Sequence, residues 1–89
     1  MKYKEDNERK EAYYALVNKI ERLGTRRRKR HGEYVRLNVY DDYCIELDTW
    51  SKAVDVYKGD LHHDHLGIDF GGFKCNIVMV KFWSAHILN

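Results

Sequence analysis

The sequence predicts an α+β fold in which an N-terminal amphipathic helix packs on a four- or five-stranded, mainly antiparallel sheet. Three observations predict it. Apolar residues recur at helical spacing between Tyr13 and Leu23, on the i, i+3, i+4, i+7 pattern of one stripe. Through Tyr34 to Tyr40 and Tyr43 to Asp48 they instead alternate with polar ones, the period of a strand with one buried face. The run from Phe73 to Trp83 is the most apolar in the chain and reads as a central strand, apolar on both sides.

Size and composition narrow the class further. The 89 residues are enough for one domain, residues 1–89, with a single core. A charged fraction of 34%, an apolar fraction of 44% and the lack of proline describe a folded protein and not a disordered one. The apolar stretch Ile77 to Val80 is far too short for a membrane span, and the charged N-terminus lacks the apolar run of a signal peptide. Cys44 and Cys75 are too few for a disulfide framework and have no close partner for a zinc knuckle, so both read as packing residues. A cytoplasmic monomer or small homo-oligomer without a cofactor is expected.

Charge is distributed unevenly. Residues 1–31 hold eleven Lys and Arg against five Asp and Glu, whereas residues 32–89 hold five against nine. An electrically two-sided molecule follows.

The helical pattern extends from Lys4 to Leu23, with Tyr13, Leu16, Val17, Ile20 and Leu23 on the stripe and Gly24 where a C-cap belongs. Before Tyr13 there is no stripe, only Glu5–Arg9 and Asp6–Lys10 pairs worth roughly 0.2–0.5 kcal/mol each, so residues 1–8 are expected to fray. Arg26, Arg27, Arg28, Lys29 and Arg30 follow without interruption. Five adjacent cations cannot be packed, and residues 25–32 are expected to form an exposed basic connector.

In the first strand Val35, Leu37 and Val39 face one side and Arg36, Asn38 and Tyr40 the other; in the second, Ile45 and Leu47 oppose Cys44, Glu46 and Asp48. A two-residue Asp41-Asp42 turn would set Leu37 against Glu46. An odd loop, Asp41-Asp42-Tyr43, instead pairs Val39 with Ile45, Leu37 with Leu47 and Arg36 with Asp48. A third strand, Ala53 to Lys58, adds Val54 and Val56 to the inner face and brings Glu46 beside Asp55, an unfavourable pair of like charges. Gly59 to His65 reads as a loop. A Gly71-Gly72 turn then pairs Phe70 with Phe73, Asp69 with Lys74 and Ile68 with Cys75. Along the final strand Val78, Val80 and Phe82 lie on one side and Phe73, Cys75, Ile77 and Met79 on the other.

Three groups of residues could carry function. The first is the basic run, Arg26, Arg27, Arg28, Lys29 and Arg30, with Lys19 and Arg22 preceding it on the helix. Guanidinium forks suit phosphate, and such a ridge fits nucleic acid or an acidic, nucleic-acid-handling protein; its competing role is to keep the protein soluble. The second is the sheet face turned from the helix, where Tyr40 and Tyr57 would offer a protein-docking surface. The third is Leu61-His62-His63-Asp64-His65, whose imidazoles and carboxylate are potential metal ligands. In its loose order, Asp64-His65, Gly71-Gly72, Asn76-Ile77-Val78 and His86 distantly resembles HNH endonucleases over the last quarter of the chain. That resemblance implies His65 as general base, His86 and Asp64 as metal ligands and Asn76 as an orienting residue; His63 is a candidate metal ligand from the cluster alone. It also implies a helix after the Asn, whereas Ile77 to Trp83 favours a strand. No nucleophilic triad or phosphate-cradling loop is present in a recognisable spacing. The expected function is a non-catalytic binding module of regulator or inhibitor type that docks onto nucleic acid or a nucleic-acid-handling complex. The alternatives are an HNH-like metal-dependent nuclease and pure protein recognition through the tyrosine-bearing face.

Overall fold

The computed structural model describes residues 2–29, 32–69 and 72–87. A long helix α1 (Lys2–Leu23) leads into strands β1 (Thr25–Lys29), β2 (Gly32–Tyr40), β3 (Tyr43–Asp48), β4 (Val54–Lys58), β5 (Leu61–Asp69) and β6 (Gly72–Cys75), and the chain closes with helix α2 (Ile77–Ala85). The strands form one antiparallel meander in the order β1-β2-β3-β4-β5-β6. The α+β class is as expected, but among the described residues the sheet has six strands and not four or five.

Both helices cover the same face. Tyr13, Leu16, Val17 and Ile20 of α1 and Val80 and Trp83 of α2 are buried against Val35, Ile45, Leu47, Val54, Val56 and Leu66 of the sheet. Each of these sheet residues is inaccessible to solvent, so deleting a methylene group here leaves a void rather than a rearranged surface. Leu23, predicted on the stripe, is instead exposed at the helix end. Burial pushes the Tyr13 hydroxyl well above its ordinary pKa, and the group donates a 2.7 Å hydrogen bond to the Lys52 carbonyl, tying α1 to the β3–β4 turn. Gly67 permits the close approach of α1 to β5: a Cβ there would lie 2.7 Å from both the Tyr13 ring and the Cys75 Cβ.

The β2–β3 hairpin solves its parity problem differently from the predicted odd loop. Tyr40 pairs with Tyr43 across a two-residue Asp41-Asp42 turn, and a bulge at Val39 restores Leu37 opposite Ile45 and Val35 opposite Leu47. Arg36 therefore faces Glu46, not Asp48. Pairing apolar with apolar was the correct requirement; one extra residue in the strand, not in the loop, satisfies it.

Four other expectations are corrected. Residues 25–29 are not a connector but an edge strand, whose backbone bonds β2 while Arg26, Arg27 and Arg28 stay exposed. The predicted loop from Gly59 to His65 is a short turn followed by most of β5. The predicted central strand Phe73–Trp83 is a four-residue edge strand followed by a helix, with Asn76 as its N-cap accepting a 3.2 Å bond from the Met79 amide. Val80 and Trp83 point inward at helical spacing, while Val78 and Phe82 are 74% and 48% exposed. An uninterrupted apolar run satisfies period 2 and period 3.6 equally, and the Asn cap decides between them. In the last hairpin Gly67 pairs with Cys75 and Asp69 with Gly72 around an irregularity at Ile68, a register different from the predicted one. The predicted Phe70–Phe73 pair lies outside the described residues.

Candidate functional site

The basic strand starts where α1 stops. The Gly24 amide bonds the Ile20 carbonyl at 2.8 Å, and a Cβ at Gly24 would sit 2.5 Å from Val35 Cγ1 and 2.7 Å from that carbonyl. With hydrogen in that place, the helix ends directly on the sheet and the next residue is already in β1. The register sets Thr25 beside Arg36 and Arg27 beside Tyr34 on the open face, with Arg26 beside Val35 and Arg28 beside Glu33 on the helix-covered side. Arg26, Arg27 and Arg28 are all exposed. Arg26 forms an ion pair with Glu33. Neither Arg27 nor Arg28 forms an ion pair with a described residue. Lys29 completes the strand opposite Gly32, and Arg30 lies outside the described residues.

The preceding basic residues divide between two surfaces. Arg22 is exposed in the last turn of α1, next to β1. Lys19 instead lines a groove between α1 and α2, with Ala15 and Lys81, and is not part of the β1 ridge. Beside β1 a shallow cleft of about 320 Å3 is lined by Leu23, Thr25, Arg27, Arg36, Leu37 and Asn38, bringing two guanidinium groups to one place.

Across the open face runs a ladder of paired charges. Nε and Nη2 of Arg36 donate to a single Glu46 carboxylate oxygen at 3.2 and 2.9 Å, and this bond raises the arginine pKa. Glu46 is only 6% exposed although no helix covers it. Its cross-strand neighbour Asp55 is held by two histidines, with Oδ1 lying 2.9 Å from His62 Nε2 and 2.7 Å from His65 Nδ1. The like-charge pair seen in the sequence is thus resolved by giving each carboxylate its own nitrogen partners. Tyr57 lies between them, with Arg36 5.7 Å from its ring centroid and His62 edge-on at 5.4 Å; burial raises its hydroxyl pKa.

Tyr40 and Tyr57 do not share a face. The Val39 bulge turns Tyr40 to the helix side, where its ring lies 6.0 Å from Trp83 and 5.1 Å from His86. His63 joins the same cluster against Tyr43 and Trp83. His86, at the end of α2, has Nδ1 2.7 Å from the Phe82 carbonyl.

The segments named in the nuclease resemblance do form a hairpin followed by a helix. The sheet, however, separates the candidate general base from the candidate ligands: His65 is on the open face with Asp55, whereas Asp64, which accepts a 3.4 Å bond from Trp83 Nε1, His63 and His86 are on the helix side. Among the described residues no group of three His, Cys, Asp or Glu is arranged to hold a metal ion. Asn76 is occupied as a helix cap.

The features missed by sequence reasoning are the two carboxylate pairings. Their signal was present in the juxtaposition of Glu46 and Asp55, since adjacent like charges in a sheet call for cationic or imidazole neighbours. A loop over residues 59–65 leaves Asp55 without a cross-strand neighbour, and it is β5 that supplies His62 and His65. No protein-family model, curated protein or solved structure gives a significant match to this chain. The fold and its surfaces therefore define a small α+β domain with a basic edge strand.

Proposed function

We propose that this protein is a non-catalytic binding module of regulator or inhibitor type that docks onto nucleic acid, or onto a complex handling it, through the β1 edge. The observation that carries the reading is the rigid presentation of Arg26, Arg27 and Arg28 on a hydrogen-bonded strand, next to the cleft shared by Arg27 and Arg36. A strand holds its guanidinium groups at fixed spacing, so less backbone entropy is lost on binding than from a free loop. Arg22 extends the same ridge. No helix among the described residues is long and apolar enough to cross a membrane, and Cys44 and Cys75 are both free thiols, which suits a protein working in the cytoplasm as a monomer or small oligomer.

Salt dependence of binding to duplex and single-stranded oligonucleotides tests the proposal. With about four phosphates contacted, log K against log salt should slope near −3 to −4 on duplex DNA. Replacing Arg26, Arg27 and Arg28 together with alanine should flatten the slope by about two to three units and leave the melting temperature nearly unchanged, because the strand's backbone bonds are retained. Binding that survives the triple replacement would remove the β1 edge as the interface.

A further inference from the structure

Trp50, in the turn between β3 and β4, is the most exposed large hydrophobic residue among those described, with 83% of its surface in solvent. Its indole meets no ring and no hydrogen-bonding side chain; only its backbone amide is engaged, donating to Asp48 Oδ1 at 2.9 Å. The turn itself is pinned from several sides. Asp48 Oδ1 also accepts from the Ser51 amide at 3.4 Å, the Lys52 amide bonds the Asp48 carbonyl at 2.8 Å, and the Lys52 carbonyl takes the Tyr13 hydroxyl. Lys52 Nζ in turn pairs with Glu21 of α1 at 3.1 Å. A large flat ring is therefore held in water on a fixed backbone, where it adds nothing to the core.

The same turn lies against the basic edge. The Thr49 amide and hydroxyl both donate to the Glu33 carbonyl, at 3.1 and 2.9 Å, and Glu33 is the register partner of Arg28 in β1. One residue further along β2, Arg27, Tyr34 and Asp48 form a single cross-strand row about 10 Å wide, and Trp50 follows Asp48 by two residues. The carboxylates at this corner have partners of their own: Glu33 is paired with Arg26, and Asp48 is taken up by the amides of its turn. Arg27 and Arg28 face solvent.

We propose that this corner binds single-stranded nucleic acid, with phosphates on the arginines of β1 and an unpaired base stacked on Trp50. The inference rests on the reading of β1 as a nucleic-acid edge and names the form of nucleic acid that the edge takes. Arginines attract any polynucleotide, because duplex and single strand both carry phosphates. An exposed indole discriminates between them. Within a duplex both faces of a base are covered by its neighbours, whereas a base of a single strand can leave the stack and lie on an aromatic face, whatever its identity. A pinned turn suits that role, since little order has to be imposed on it when the base arrives.

Trp50 reports on its own contact, because Trp83, the other tryptophan of the chain, is only 3% exposed. The intact protein is titrated at low salt with oligothymidylate and oligouridylate of about 12 nucleotides and with a duplex of the same length. The single strands should quench the tryptophan emission and the duplex should not. Quenching by either single strand supports the proposal, and the tighter of the two tells DNA from RNA as its source. Trp50→Ala should weaken single-strand binding about five- to hundredfold, change duplex binding by less than about twofold and leave the salt slope unaltered, because it removes a stacking contact and no phosphate contact. Trp50→Phe, which keeps an aromatic face, should bind single strands within about fivefold of the unaltered protein. Single-strand binding that survives Trp50→Ala, binding without quenching, or a loss that Trp50→Phe does not repair would each overturn the proposal and leave the β1 reading standing. An equal loss on duplex would overturn it in favour of a ring inserted between base pairs. Absence of salt-dependent binding to all three probes would overturn both readings together.

Discussion

At one edge of the sheet β1 carries three exposed arginines and no apolar side chain; at the other, β6 runs into α2, where Ile77, Val78, Met79 and Val80 are all apolar. Judged by side chains, the first should be a solvated connector and the second an interior strand. The chain does the reverse with the backbone, making the basic segment a strand and the apolar segment mostly a helix. Hydropathy limits how deep a side chain can lie: Arg26, Arg27 and Arg28 are exposed and Val80 and Trp83 are buried, while the helix turns Val78 and Phe82 outward. It does not govern backbone conformation when a stretch is uniformly polar or uniformly apolar, because such a stretch has no period. Flanking residues then decide. Gly24 delivers residues 25–29 alongside β2, and Asn76 caps a helix.

The sharpest way to break this comparison is within α2. Val80→Asp should unfold the protein, since the carboxylate would enter a fully buried position with no partner, at a cost above about 4 kcal/mol. Loss of the cooperative thermal transition is the expected observation. A near-normal melt would mean that α2 is not packed as described. Asn76→Ala should cost about 1 kcal/mol, the worth of a side-chain N-cap, and is measured as a lowered urea midpoint with an unchanged m-value. An unaltered midpoint would deny the cap its part in choosing helix over strand.

Val78→Asp carries the smallest effect and the most telling sign. Val78 is an exposed residue in the first turn of α2, where a carboxylate meets the positive end of the helix dipole, so the change should be neutral or stabilising by about 0.3–1 kcal/mol. In a central strand the same substitution would be ruinous. Melts of the Val78 and Val80 aspartate variants side by side therefore separate the two backbone assignments with one measurement.

Among the functional surfaces, the basic ridge was the most legible in the sequence, because a run of guanidinium groups must stay in water whatever the backbone does. Its form as an edge strand was not legible, since Arg-rich segments show no alternation. The shared face of Tyr40 and Tyr57 failed for a different reason: a single bulged residue, Val39, reverses every side chain beyond it, and nothing in the sequence marks a bulge of this kind.

By itself the sequence determined which residues are inside: the stripe from Tyr13 to Ile20 and the inner positions of β2, β3 and β4. These follow from periods of a few residues, which need no knowledge of distant neighbours. Only the tertiary structure decided the register across the bulge, the conversion of residues 61–65 into a strand, and the capture of Asp55 by His62 and His65. Those depend on backbone partners and side chains brought together from separate strands, and a hydrogen bond between residues 55 and 65 is invisible until both strands are placed. Burial is a property of the local pattern, whereas pairing is a property of the assembled sheet.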